Sequence, residues 1–376
     1  KRQTQDLVTA NPDLGLVTVV PGDGAGGFGE PIDINTGGEP LYPAIGDFDR
    51  DGRPDIAIVD DGRSLVSILR NTTAFAPSAF APNGSPQISS LSIGDDPSAL
   101  VLDDVNRDGA IDLVFGNSKY DANFTSEVAI HLGDGSGAFA ATGIGLTVSN
   151  HPIAFAADDV DRDGLRDLVI ANTQANALAV LAINADGSLN PLQHYRVGGT
   201  SPWSVATADF NRDGRQDIAS ANLLSHNVSE VLGNAQGTFG SATQFSVGTN
   251  PEAIVVADLN RDAAPDLVVV SRPGSGVWVL LGVGSGSFAV AQEYVVEGVP
   301  AEVVVADFNR DGVPDLVTAN LTGADRLSLF QGRGDGTFDP STSIATNSIA
   351  RPHGLATSDV NRDGALDLAV IHAPSW

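Results

Sequence analysis

Carboxylates at alternate positions, closed by a glycine and a returning carboxylate, are the residues in this chain best suited to chemistry. Asp47, Asp49 and Asp51 set side-chain oxygens two residues apart, Gly52 permits a positive-φ reversal, and Asp55 brings another carboxylate back to the same point. Such a loop wraps one hard cation. Ca2+ accepts six to eight oxygen ligands at roughly 2.3–2.6 Å in flexible geometry, whereas Mg2+ demands a tighter octahedron and fits the spacing less well. The phrase Asp-x-(Asp/Asn)-Arg-Asp-Gly-x-x-Asp recurs at Asp104, Asn106, Asp108 and Asp112, at Asp159, Asp161, Asp163 and Asp167, and at Asp209, Asn211, Asp213 and Asp217. It returns at Asp258, Asn260, Asp262 and Asp266, at Asp307, Asn309, Asp311 and Asp315, and at Asp359, Asn361, Asp363 and Asp367. A single Asp-Gly turn is ordinary hairpin punctuation, and the bland reading is a set of solvated acidic turns. Seven copies in one register argue for metal, so up to seven Ca2+ ions are expected. The fifth copy carries Ala263 where the others carry Gly; alanine at positive φ is strained by about 1 kcal/mol, which predicts the weakest site there.

Other chemistry is sparse. His131, His151, His194, His226, His353 and His372 fall in different repeats, with no His-x-x-x-His pair and no Ser-His-Asp arrangement that loops would join. An Asp/Glu pair across a central channel could hydrolyse glycosides in principle, yet the loops account for almost every Asp, and no enzyme is expected. Candidate ligand residues stand just after a series of prolines: Tyr42, His151, Trp203, Glu252, Glu302 and His353. Lys119, Tyr120, Asn123, Phe124, His226 and Arg326 fall in loops that would join them. A flat aromatic beside polar groups suits a sugar or peptide, although Trp203 suits a core plug equally well. Gly22 to Gly27 fits G-x-G-x-x-G, but no helix follows and the same turn recurs elsewhere, which argues against nucleotide binding. Arg333-Gly334-Asp335 spells an attachment tripeptide in a register where other repeats hold comparable turns, so it reads as coincidence. Asn-x-Ser/Thr at Asn71, Asn83, Asn123, Asn227 and Asn320 leaves glycosylation open. The arginine at loop position four (Arg50, Arg107, Arg162, Arg212, Arg261, Arg310, Arg362) is expected to cover the strand end and offset the Asp charge.

Composition fits a cation-loaded protein. The formal charge is −27, the loops supply 23 Asp residues, and seven divalent cations would roughly halve the excess. Without them the crowded carboxylates repel one another and weaken the fold. So acidic a balance argues against nucleic acid and anionic membranes, both of which need basic patches. With no Cys there is neither disulfide framework nor thiol chemistry. No apolar run is long enough to span a membrane and no signal-peptide core stands at the N-terminus. Lacking any Met, the chain is expected to be a processed or excised mature segment. Millimolar free calcium outside cells would fill loops this polar, which points to an extracellular or cell-surface setting.

The rest of each repeat reads as strands. Runs such as Glu252–Asp258 and Ala301–Asp307 precede the loops, and Asp266–Val270 and Asp315–Ala319 follow them, all short and β-branched. A third run, as in Val277–Leu281 or Leu327–Phe330, leads into a Gly-rich turn ending in Phe, and a fourth reaches a proline. Loop starts lie 57, 55, 50, 49, 49 and 52 residues apart, a period that signals a repeat architecture. Four strands per repeat predict one all-β domain over residues 1–376, a seven-bladed β-propeller of four-stranded antiparallel blades with the N- and C-terminal strands closing one blade. The strand-loop-strand segments and Gly-x-Gly-x-Gly-x-Phe turns resemble the FG-GAP/VCBS repeats of bacterial secreted proteins and the integrin α-subunit propeller. That resemblance implies Ca2+ in the hairpins of one face and ligands on the opposite face. Departures are Ala263 and the Pro/Ser/Ala-rich stretch from Asn71 to Pro86. The expectation for function is a non-catalytic adhesion or structural protein with a protein or glycan partner and no membrane insertion. A lectin-like glycan binder and an accessory domain of a secreted enzyme are the alternatives. Residues Asp6–Ala10 and Leu368–His372 both read as second strands of one blade, so one is surplus; it either packs nearby or is donated to a second copy in a homopolymer.

Overall fold

The computed structural model describes residues 6–11, 15–21, 32–38, 40–60, 63–71, 87–92, 97–117, 125–149, 151–184, 188–272, 276–322, 327–344, 352–358 and 367–372. Within them the chain is all strand and turn, without a helix of α type. Six sheets are four-stranded and antiparallel, each formed by four strands in sequence order. Their first strands are Pro40–Gly46, Pro97–Asp103, Pro152–Asp158, Pro202–Ala208, Pro251–Ala257 and Pro300–Ala306. Each opens on a proline, which lacks the N–H that a ladder would need and therefore suits a strand start. The fourth strands Gln193–Arg196, Thr243–Ser246 and Gln292–Val295 are short and largely exposed and stop before the next proline, whereas Phe139–Ser149 is eleven residues long and runs nearly up to Pro152.

The sheet that joins the two ends departs from expectation. Its order is Pro352–Ser358, Asp367–His372, Asp6–Asn11, Leu16–Pro21, Ile32–Asn35, so it has five strands instead of four. Both second-strand copies are accommodated: Asp6–Asn11 runs parallel to Asp367–His372, with Leu7 opposite Leu368, and antiparallel to Leu16–Pro21. The surplus strand is paired on both edges within its own chain, which is the packing alternative, and among the described residues neither second-strand copy is left free for donation.

The core lies between sheets. All six residues of every second strand from Asp55–Asp60 to Asp315–Asn320 are buried, because both of their faces are covered by neighbouring sheets. One apolar cluster combines Phe210, Ala219 and Val228 of one sheet with Val269, Leu280 and Phe288 of the next, and another combines Val114 and Ile130 with Ile170 and Leu181. The aromatic signals of the sequence meet here. The second loop residue of one sheet packs edge-to-face on the Phe that ends the next sheet's turn, Phe48 on Phe139 at 5.6 Å and Phe210 on Phe288 at 5.4 Å. First strands also lie against first strands in succession, from Pro40–Gly46 onward, and Pro352–Ser358 lies against Pro40–Gly46.

Candidate functional site

Each Asp-rich loop joins the first two strands of a sheet, so all of the described loops sit at the same end of their sheets. The loop is held by its own side chains. In the second copy, Asp104 accepts from the amides of Asp108 and Gly109, Asn106 from Asp108, and Asp108 from Ala110; the fourth and sixth copies repeat these bonds. Such Asx-type bonds turn the oxygens inward. The sixth residue has φ of 77° at Gly52, 86° at Gly109, 93° at Gly164 and 65° at Ala263, the reversal expected from the glycine and the strain expected from the alanine. The ninth residue is a staple. Asp112 accepts from Val105 N through one oxygen and from Gly133 N through the other, tying the loop to the third strand, and Asp217, Asp266 and Asp315 do the same.

Two loops go further. Asp47, Asp49 and Asp51, and likewise Asp159, Asp161 and Asp167, bring carboxylate oxygens within 4.8 Å of one another. These are the two described copies with Asp rather than Asn at the third position. The buried Oδ1 atoms of Asp47, Asp159 and Asp167 have no hydrogen-bond partner, and Asp167 is fully buried. A buried carboxylate oxygen with nothing to accept from is costly unless a cation meets it, so the donor set fits a metal ion. Burial pushes Asp55, Asp112, Asp217 and Asp266 up to about 6 and Asp167 to about 7, with the neighbouring aspartates adding to the rise. Asp359, Asn361 and Asp363 of the seventh copy lie outside the described residues, and Asp367 opens a strand.

At the opposite end of the sheets a second feature repeats. Every first strand carries a one-residue bulge near its start, and the extra residues are Tyr42, Ser98, Ile153, Trp203, Glu252, Ala301 and His353. Bulges re-aim a side chain out of the ladder. Four of the six sequence candidates, Tyr42, Trp203, Glu252 and His353, are bulge residues; Trp203 is half-buried. His151 precedes its strand at φ 68°, with burial lowering its imidazole pKa. Arg272, which follows a second strand, pairs with Glu252 and acts on Glu302 through its charge, while Glu302 itself accepts from the Val303 amide. Arg272 forms an ion pair with Glu252, its buried Nε has no partner, and its backbone N–H donates to the Asn250 carbonyl. Burial raises Glu302 to about 7, a rise that the hydrogen bond from the Val303 amide and, less, the charge of Arg272 oppose and that Glu252 adds to. Lys119, Tyr120, Asn123, Phe124 and Arg326 lie outside the described residues, and exposed His226 accepts from Asn250 N through Nδ1.

The sequence reading missed Arg272 and Glu230. Arg272 directly follows the buried second strand, where the corresponding residues are neutral Thr173, Leu223 and Leu321, a contrast available only once the repeats are in register. Glu230 is 1 % exposed with both carboxylate oxygens unpartnered. The attachment tripeptide is spent within its own turn, since Arg333 binds Asp339 and Asp335 accepts from Thr337. Asn320 is buried and donates to Ser328, which removes it as a glycan acceptor.

No curated protein sequence matches the chain. Among solved structures it is similar to a periplasmic gluconolactonase of Pseudomonas aeruginosa, 18 % identical with a TM-score of 0.68 over 99 % of each chain. It is also similar to a 6-phosphogluconolactonase candidate of Bacteroides fragilis (15 %, TM-score 0.64, 94 % of this chain and 97 % of that one). A third is an Agrocybe aegerita lectin that recognises non-reducing terminal N-acetylglucosamine (19 %, TM-score 0.62, 92 % and 91 %). At these identities the likeness is one of fold, a β-propeller. It overturns the expectation of a non-catalytic adhesion or structural protein, because proteins named as lactonases share the architecture over nearly the whole chain. Absence of a His-based triad was too narrow a ground for excluding an enzyme. The FG-GAP-like repeat model matches residues 3–58, 104–170, 159–220, 214–269, 258–318 and 307–370, and the chain belongs to that family.

Proposed function

We propose that residues 1–376 form one calcium-loaded, seven-bladed propeller, closed by the five-stranded sheet, that hydrolyses a sugar-derived lactone at Glu252, Arg272 and Glu302. The Glu252–Arg272 ion pair beside the first-strand bulges, whose charges also act on the Glu302 carboxyl, carries the reading. The 28 loop residues set out above would hold Ca2+ on one face, with hard oxygen donors and the calcium of an extracellular setting favouring that ion. When bound, the ions would neutralise the loop carboxylates and leave the other face to the ligand.

A carboxyl near 7 is poised to move a proton at neutral pH. Glu302 as carboxylate takes a proton from a water that attacks the lactone carbonyl carbon. Arg272, with a buried Nε–H still to be satisfied, donates to the oxygen on which negative charge develops, and Glu252 holds the guanidinium in place. The ring C–O bond then breaks, its oxygen takes the proton back from Glu302, and lactone plus water has become the hydroxy acid. Names of the similar structures point to sugar lactones and sugar termini, which supports a polyhydroxylated ligand. Hydrolysis of glucono-lactone by the calcium-loaded chain, followed by pH-stat above the buffer rate, tests this. Glu302→Gln is expected to lower kcat about a hundredfold or more with KM little changed. Saturable sugar binding without turnover would leave a glycan receptor in its place.

A further inference from the structure

The fourth residue of each cation loop reaches beyond its own loop. In the described copies this arginine is left-handed, with φ of 55° at Arg50, 56° at Arg107, 67° at Arg162, 58° at Arg212, 62° at Arg261 and 62° at Arg310. A long side chain at positive φ is uncommon. Arg50 donates from Nε to the Gly109 carbonyl at 2.9 Å and from Nη2 to the Asp108 carbonyl at 3.2 Å, with the Asp108 carboxylate 3.6 Å away. Arg212 donates to both the carbonyl and the carboxylate of Asp262, the latter at 3.1 Å. Arg107 and Arg261 also lie beside the following loops: a Cβ added to Gly164 or Gly312 would lie 3.0 or 3.1 Å from their guanidinium nitrogens. The other side of the guanidinium meets the next sheet's Gly-rich turn, where a Cβ on Gly135 would be 2.7 Å from Arg50 and one on Gly284 3.0 Å from Arg212. The turn glycines make room for the arginine of the preceding loop.

We infer that these arginines couple neighbouring cation loops, each acting as a positioning residue for the next loop's fifth-position aspartate and the carbonyls beside it. The inference rests on the cation reading of the loops. Arg50 sits between the ligand candidates Asp49 and Asp51, so an ion that orders those two fixes the arginine backbone and, through the guanidinium, the loop around Asp108. Its shortest contacts are to carbonyls, so it shapes the next loop more than it competes for the carboxylate. Coupling of this kind is reciprocal, and a change of about five- to 150-fold in affinity is its ordinary size.

Calorimetric titration of the full chain with CaCl2, with terbium luminescence as a second readout, is run on wild type, Arg50→Ala, Asp108→Ala and the double variant. Arg50→Ala is expected to keep the number of sites but weaken the affinity of one beyond its own loop by about fivefold or more. That effect should vanish in the Asp108→Ala background, where the loop it acts on is already disabled. Arg50→Lys, which keeps the charge but cannot bridge two carbonyls, should stay weakened. Unchanged affinity in Arg50→Ala, or an equal loss with and without Asp108, overturns the coupling while cation binding stands; a wild type that binds neither ion removes both. Circular dichroism establishes that each variant is folded, and Arg50→Lys carries the comparison if Arg50→Ala is not.

Discussion

Two residues break the pattern that their repeats set, and each gives a stability prediction. Ala263 holds φ 65° where five described copies hold glycine, so Ala263→Gly relieves about 1 kcal/mol of strain, less a few tenths for glycine's freer unfolded chain. A rise in melting temperature of one to a few degrees is expected, together with tighter binding at the fifth loop; a lower melting temperature would show that the alanine is not strained. Glu230 occupies a position that is Ile68, Ile130, Val180, Val279 and Leu329 in other sheets, all facing the same register partner. Burial, with Asp217 adding to it, pushes its carboxyl up to about 8, so the folded protein holds a proton there that the unfolded chain gives up near 4.5. Its contribution is therefore harmless below the unfolded value and costs stability as pH rises toward 8. Glu230→Val should stabilise by about 2–4 kcal/mol at pH 7.5 and by much less at pH 4.5, read from denaturant midpoints. An equal gain at both pH values would put the effect in packing instead of charge.

At the scale of elements, the five-stranded sheet holds two strands competing for one role. Asp6–Asn11 lies between Asp367–His372 and Leu16–Pro21, parallel to the first and antiparallel to the second. Removing it would leave Asp367–His372 antiparallel to Leu16–Pro21, the pairing that every other sheet uses. Deletion of residues 1–11 should therefore yield a folded, cooperative chain with a four-stranded terminal sheet, and hydrogen exchange should show protection kept along Leu16–Pro21 and Asp367–His372. Loss of protection in both strands would mean that the inserted strand is indispensable. The alternation of loop, β-branched run and glycine turn made the strands legible in the sequence, including the surplus one, because turn chemistry and periodicity are local signals. Where that strand goes is decided by edge pairing between residues some 360 positions apart, which no local pattern reports. The same limit hid the Arg272 site at the end of the sheets opposite the loops. Tyr42, Trp203, Glu252 and His353 were visible as unusual residues after prolines, but the bulge that each occupies and the arginine that pairs with Glu252 exist only in the register between strands.

Across the whole molecule, the loops place a strong and testable bias on stability against pH. Without cations the carboxyls of Asp55, Asp112, Asp217 and Asp266 titrate at about 6 and Asp167 at about 7 in the folded state, above the ordinary aspartate value of 3.8. A group whose folded pKa is raised contributes stability that is present below its unfolded value and lost as pH rises through the folded one. All five therefore act in the same direction, and so does the general repulsion of a chain with formal charge −27. In chelator, the melting temperature should fall between pH 4.5 and pH 7.5. Saturating Ca2+ should reverse that trend, because the ion binds the deprotonated carboxylates, supplies the partner that the buried Asp47, Asp159 and Asp167 oxygens lack, and adds stability in proportion to the logarithm of its concentration. The two melting curves should thus converge near pH 4.5 and separate steadily toward pH 7.5, with proton release on Ca2+ addition largest near pH 6. Scanning calorimetry in chelator and in millimolar Ca2+ across that range measures both, and a chelated protein that melts higher at pH 7.5 than at pH 4.5 would show that the loop carboxylates are stabilised by something other than a cation.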